Sequence, residues 1–291
     1  MPAFKLMNDH LTLTVSSKGA EIRSLKRNDS GREFMWQADP KYWGWTAPVL
    51  FPIVGAVRNN EYRFEGKTYH MNQHGFARHS EFTHAPVAGC GLGFVLTDSS
   101  ETLAAYPFPF RLEVGYTLEK RTVIVKWRVK NTGETKMFFS IGAHPAFNCP
   151  PYRECKKSDC FLAFDTVKPL VSSLLNLEKG GVSSRTKEEP LTKGSLPIRD
   201  DLFDINTLII ENEQAHKMSL NTPDRRPYVT VAFDAPLFGI WSPSKEAPFV
   251  CLEPWYGLAD GDEFTGNLED RRYIQALEPG KTWAASYRIT V

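Results

Sequence analysis

The chain is 291 residues long, and its 35 Lys and Arg nearly cancel its 34 Asp and Glu, for a formal charge of +1 with histidine neutral. That balance argues against a nucleic-acid groove or a polybasic membrane anchor, and 42% hydrophobic with 24% charged residues excludes disorder as the dominant state. A chain of this length buries roughly three quarters of the surface its unfolded form exposes, so it can build a large core.

The first ten residues, MPAFKLMNDH, have neither a basic leader nor an apolar run, and no stretch reaches the ~20 apolar residues of a membrane helix. The expectation is a cytoplasmic protein without membrane or nucleic-acid partners. Leu11, Leu13 and Val15 then alternate with polar residues, the period of a half-buried strand. Residues 46–58, TAPVLFPIVGAVR, are nearly apolar and end in the lone Arg58, which is either a solvated turn residue or a substrate contact. Tyr62 to Tyr69 alternate about a Glu65-Gly66 turn, the pattern of a hairpin.

Residues 72–78, NQHGFAR, concentrate an imidazole, a permissive glycine, a ring and a guanidinium. Gly75 lets the backbone approach a ligand, while His74 and Arg78 supply donors for hydroxyls or carboxylates. His70, His79 and His84 lack such neighbours and are expected at the surface. Leu112, Val114, Tyr116 and Leu118, followed by Val123, Val125, Trp127 and Val129, predict a long antiparallel hairpin about residues 119–121.

A strand over Met137 to Ile141 runs into Gly142 and His144-Pro145. Pro145 removes a ladder donor and biases His144 to an extended backbone, so the imidazole is held in a rigid loop, as acid/base chemistry requires. Residues 172–177 offer the best helical stretch, barely one or two turns, and residues 179–193 (KGGVSSRTKEEPLTK) look like a surface loop.

In residues 248–260, PFVCLEPWYGLAD, period 2 puts Phe249, Cys251 and Glu253 on one face of a strand and Val250 and Leu252 on the other. A glutamate on an apolar face is desolvated, which raises its pKa toward that of a useful base. Its competing role is a structural ion pair with Arg58 or Arg78. Trp255 and Tyr256 add flat rings. Trp283, Ala285, Tyr287, Ile289 and Val291 close the chain as a strand.

Strands at this spacing, without sustained helical periodicity or a linker-like change of composition, predict one all-β domain over residues 1–291, made of two large antiparallel sheets packed face to face. Five cysteines in a chain that needs no staples favour reduced thiols. There is no phosphate loop, no serine elbow and no paired-cysteine zinc spacing, and His74 with His144 has no evident third metal ligand.

The segments LFPIVG with its following arginine, QHGFAR, GAHPAF and FVCLEPW, in this order over Leu50 to Trp255, resemble the aldose 1-epimerase (galactose mutarotase-like) superfamily. The resemblance implies a β-supersandwich that binds an aldose without a metal or organic cofactor, with a homodimer as a compatible assembly. It assigns Glu253 as general base, His144 as general acid, and Arg58 and His74 as substrate contacts. Trp255 would face the sugar. The family's hydroxyl-gripping aspartate has no clear counterpart, and Asp204 and Asn206 are both candidates. A related branch acts on hexose 6-phosphates, for which Arg78 is the available cation.

The implied reaction opens the sugar ring: Glu253 takes the anomeric hydroxyl proton, His144 protonates the ring oxygen, and closure after rotation gives the other anomer. A nearby carboxylate charge would raise the His144 pKa, which makes His144 the basic limb of a bell-shaped pH dependence. The rival is a carbohydrate-binding or sensor protein on the same fold. Only the enzyme needs Glu253 and His144 together at the anomeric centre.

Overall fold

A computed structural model describes residues 2–152, 154–176, 178 and 180–291. Two large sheets dominate it. One has nine strands, ordered Ser195–Pro197, Phe161–Phe164, Lys217–Asn221, Pro227–Phe233, Thr282–Thr290, Thr122–Asn131, Phe110–Glu119, Leu92–Thr97 and Thr83–His84. The other runs Val182–Glu189, Leu170–Leu175, Leu208–Ile210, Leu237–Trp241, Phe249–Tyr256, Ile141–Ala143 and Val49–Leu50, with Ala146–Asn148 also paired to Phe249–Tyr256. The ladders are antiparallel, as the alternating residues require.

The long hairpin follows the sequence pattern. Leu112 pairs with Val129 and Val114 with Trp127, and all four are buried, while Arg111 and Lys130 pair on the more exposed face. Such cross-strand apolar pairs are the unit of sheet stability, and each buried Leu or Val contributes about 1.5–3 kcal/mol. The closing strand pairs Tyr287 with Val125 and Ile289 with Val123. A three-stranded sheet (Ala3–Met7, Leu11–Ser16, Glu21–Arg27) and the hairpin Glu61–Phe64 with Lys67–His70 flank the large sheets.

Three elements differ from expectation. The strand expected over Met137 to Ile141 is divided at Ser140: Met137–Phe139 pairs with Gln275–Leu277, and Ile141–Ala143, which contains Gly142, joins the sheet of Phe249–Tyr256. The helical stretch at 172–177 lies in the strand Leu170–Leu175, where Ser172 and Ser173 pair with Lys187 and Thr186; Leu177 lies outside the described residues. Within the expected loop at 179–193, residues Val182–Glu189 form the edge strand of the sheet, and Lys179 lies outside the described residues. An edge strand needs one ladder and no apolar face, and Ser184, Arg185 and Thr186 are exposed.

The strand Phe249–Tyr256 sits inside its sheet and is buried on both faces except at Tyr256. Val250 and Leu252 enter the main core with Trp127 and Val129. Phe249 and Cys251 join a separate cluster with Trp36, Ala146 and Ala247, against which Trp43 and Trp241 pack. The predicted division of faces therefore holds, and the Glu253 face turns away from the sandwich interior.

Candidate active site

On that face lies a cleft of about 500 Å3, lined among others by Trp43, His74, Arg78, His144, Glu253 and Trp255. Glu253 stands opposite Gly239 on the neighbouring strand and has no exposed surface. Both carboxylate oxygens are buried without a hydrogen-bond partner. The closest charged or titrating contact is the imidazole of His144, with Nε2 3.2 Å from Oε2. The alternative pairing with Arg58 or Arg78 is not formed among the described residues.

His144 follows the short strand Ile141–Ala143, and its backbone N–H donates to Pro48 O at 3.2 Å. Trp43 stacks on the ring with centroids 4.7 Å apart, and Trp241 meets it edge-on at 5.6 Å. The loop carrying Trp43 is itself tied down. Glu21 accepts the Thr46 and Ala47 N–H groups at 2.7 and 2.9 Å, and Trp36 Nε1 donates to Trp43 O at 2.9 Å. The imidazole is thus clamped by aromatic faces rather than by a second hydrogen bond, for Nδ1 has no partner.

Burial sets the protonation of this pair. It pushes the Glu253 carboxyl well above the ordinary carboxylate value, against a weaker pull from the Trp255 indole, which forms no bond of standard geometry. It also pushes His144 down to about 3, helped slightly by the Arg78 charge. The expected rise of the His144 pKa is therefore reversed. Desolvation penalises both charged forms, and it outweighs the attraction that a carboxylate would exert on the imidazolium. Across the 3.2 Å contact burial therefore favours the neutral form of each partner.

His74 occupies a left-handed backbone position (φ 67°) before Gly75. Its Nδ1 accepts the Gly55 N–H at 3.1 Å, which fixes the proton of the neutral ring on Nε2. Burial pushes its pKa well down, and the ring meets His144 edge-on at 5.6 Å. Gly75 is required by contact as well as by its φ of 70°: a Cβ there would lie 2.3 Å from Phe51 O. The Phe51 carbonyl accepts the Phe76 and Ala77 N–H groups, both at 3.1 Å, so the loop is pinned to the strand end beside the cleft.

Arg78 lines the cleft, half-buried, with Nη2 donating to Gln73 O at 2.8 Å and the guanidinium 5.3 Å from the Trp45 ring centre. Its Nε is buried without a partner, and burial lowers its pKa. Trp255 lies against Gly239 and Gly142, where added Cβ atoms would come within 2.5 and 2.7 Å of the indole. Those two positions clear the space in which the ring forms the cleft floor.

Two candidates stand elsewhere. Arg58 is exposed on a turn, and its contribution is a backbone N–H donated to Asp260 Oδ2 at 2.9 Å; its side chain is not in the cleft lining. Asp204 is exposed and borders a neighbouring cavity, whereas Asn206, the other candidate, lines the cleft. His70, His79 and His84 are exposed, as expected. Trp43, Gln73 and Trp241 were not anticipated. The aromatic density of residues 41–45, KYWGW, was the available signal for the first.

Cys251 adds a third donor next to the pair. One ligand atom each from His144, Cys251 and Glu253 lies within 4.8 Å of the others. His74 is not a member of this group, which pairs His144 with two residues of the Glu253 strand instead.

The large antiparallel sandwich is shared with galactose mutarotase-like proteins. A galactose mutarotase related enzyme from Lactobacillus acidophilus superposes with a TM-score of 0.92 at 36% identity, covering 99% of this chain and 97% of that one. A galactose mutarotase-like protein from Lactobacillus casei ATCC 334 gives 0.89 at 27% identity over 99% of each chain. Protein LacX (chromosomal) of Lactococcus lactis subsp. lactis is 33% identical over 297 residues, 99% of this chain and 98% of that protein. The chain belongs to the aldose 1-epimerase family, whose model matches residues 2–290. Membership carries an epimerase or mutarotase type of function on a sugar. No helix among the described residues is long and apolar enough to cross a membrane.

Proposed function

We propose that the protein is an aldose 1-epimerase acting on a free aldose, with Glu253 and His144 as its proton-transfer pair. The observation that carries this reading is the buried carboxyl with two unpartnered oxygens, 3.2 Å from a clamped imidazole, in an open cleft. Unsatisfied buried acceptors of this kind are costly and rare unless something supplies their partners. Sugar hydroxyls are such partners.

The pair holds one proton. In the empty cleft it sits on Glu253. Hydroxyl donors on the carboxylate oxygens favour the ionised form, so sugar binding moves the proton to His144 across the short contact. Glu253 then takes the anomeric hydroxyl proton while His144 protonates the ring oxygen, and the C1–O5 bond breaks to leave the open-chain aldehyde. Rotation about C1–C2 presents the opposite carbonyl face. The same transfers in reverse close the other anomer, and the pair ends with one proton as it began. His74, Arg78 and Trp255 orient the sugar, and Asn206 takes the hydroxyl-binding place considered for Asp204.

Among the described lining residues Arg78 is the sole cation, a thin provision for a 6-phosphate, which favours the unphosphorylated sugar. The test is NMR exchange of anomers over free and phosphorylated aldoses, with Glu253→Gln as control. Acceleration of a free aldose, lost in the variant, supports the reading. Sugar binding without acceleration would make the protein a carbohydrate binder.

A further inference from the structure

Cys251 is fully buried, reduced, and has no part in the proton transfers, yet it stands two residues before Glu253 on the same face of a strand. Residues i and i+2 of a strand point to one side, so thiol and carboxylate converge, and His144 arrives from the neighbouring strand end. The result is a sulfur, a nitrogen and an oxygen donor within 4.8 Å of one another. Two of them, Nε2 and Oε2, are already 3.2 Å apart.

We infer that His144, Cys251 and Glu253 form a binding site for zinc or a similar borderline divalent cation, and that its occupancy switches the sugar site off. Tetrahedral zinc with bonds of about 2.0–2.3 Å places its ligand atoms about 3.3–3.8 Å apart. The imidazole and carboxylate oxygen meet that spacing as they stand. Cys251 has to close by up to about 1.5 Å on the same bond lengths, which a side-chain rotation supplies. The mixed S, N, O set selects zinc over magnesium or calcium, which want oxygen ligands alone.

A second observation points to a missing ligand, a sugar hydroxyl or a cation: neither Glu253 oxygen, both buried, makes a hydrogen bond of standard geometry. A cation would satisfy one directly. Three protein ligands leave the fourth position open toward the cleft, where water completes the shell. Binding converts the neutral triad and the ion into a complex by releasing one proton from Glu253 and one from Cys251, while His144 contributes its lone pair. The metal then occupies the two groups that would otherwise move protons on the sugar, so metal and sugar exclude each other. That last consequence rests on the function proposed above; the site itself does not.

The experiment uses the full chain stripped with a chelator. Equilibrium dialysis against zinc chloride should show one equivalent bound, with magnesium chloride giving none. Cobalt(II) in place of zinc should give tetrahedral visible bands and a thiolate-to-cobalt charge-transfer band. Cys251→Ser and Cys251→Ala should each weaken zinc uptake at least about tenfold and abolish the charge-transfer band. Without metal they should keep anomer exchange within about twofold, since the thiol does not touch the sugar. Zinc should inhibit exchange competitively with the sugar in the parent protein, reversibly on adding chelator. Uptake unchanged in both Cys251 variants, or no uptake near stoichiometry, would overturn the site. Stoichiometric uptake and the thiolate band in a protein that exchanges no aldose would keep the site and remove the epimerase reading.

Discussion

Separating Glu253 from His144 should tilt the pH dependence of stability in opposite directions. In the folded, metal-free protein the glutamate keeps its proton well above 4.5 and the imidazole stays neutral down to about 3. In the unfolded chain their ordinary values are 4.5 and 6.5. Between those values each state of the parent protein holds one proton on the pair, on the glutamate when folded and on the histidine when unfolded, so this pair contributes no slope. In Glu253→Gln only the depressed histidine remains. The unfolded state then binds the extra proton, and stability falls as pH falls. In His144→Gln only the raised glutamate remains. The folded state binds the extra proton, and stability falls as pH rises. The limiting slope is about 1.4 kcal/mol per pH unit and halves at the unfolded-state pKa, so between pH 4.5 and 6.5 Glu253→Gln should lose about 2 kcal/mol toward acid relative to the parent, and His144→Gln should change in the opposite direction. Urea unfolding at pH 4.5, 5.5 and 6.5, in chelator, measures this, and subtracting the parent at each pH cancels every other titrating group. Curves for both variants that run parallel to the parent would refute the reasoning, because they would mean that water reaches these groups in the folded state.

The same groups set the remaining outcomes. Glu253→Gln should slow anomer exchange by about 10²–10⁴-fold, and a loss below tenfold by NMR exchange would remove Glu253 from the base role. The kcat/KM profile should carry its acidic limb near the His144 value of about 3 and its alkaline limb at the raised Glu253 value, so His144→Gln should erase the acidic limb and spare the alkaline one, read by polarimetry. Arg78→Ala should raise KM about tenfold through loss of a charge-assisted contact, while Arg58→Ala, removing an exposed side chain, should change neither parameter beyond twofold. Gly75→Ala forces a Cβ to 2.3 Å from Phe51 O at positive φ and should cost about 1–3 kcal/mol by thermal unfolding, with a parallel loss of activity as His74 shifts.

The fold was legible wherever one face of a strand is buried and the other is wet. Val123 to Val129 and Leu112 to Leu118 carry that contrast, and so does the closing strand. It failed where burial does not alternate. Leu170–Leu175 places two serines between apolar residues, a spacing that a short helix would share, and its partner Val182–Glu189 is an edge strand with no apolar stripe to read. Of the side chains that line the cleft, Glu253, His144 and His74 stand out in the sequence because unusual chemistry stands beside proline, glycine or an apolar run. Arg58 comes from the family resemblance and Asp204 from the search for the family's aspartate, and nothing local in sequence records that Arg58 lies outside the cleft lining while Asn206, two residues after Asp204, belongs to it. The protonation of the pair was beyond the sequence for a further reason: it follows from burial of both partners together, and burial is a property of the assembled sheets.

The aromatic clamp on His144 gives the molecule an optical readout of its own. Trp43 lies face to face with the imidazole, Trp241 stands at its edge, and Trp255 floors the same cleft. A neutral imidazole is a poor quencher of indole emission and an imidazolium a good one. Transfer of the shared proton onto His144 should therefore dim Trp43, while displacement of water from the cleft should shift the emission of all three to the blue. Occupancy and proton position thus become separate signals, intensity for one and wavelength for the other, in unlabelled protein.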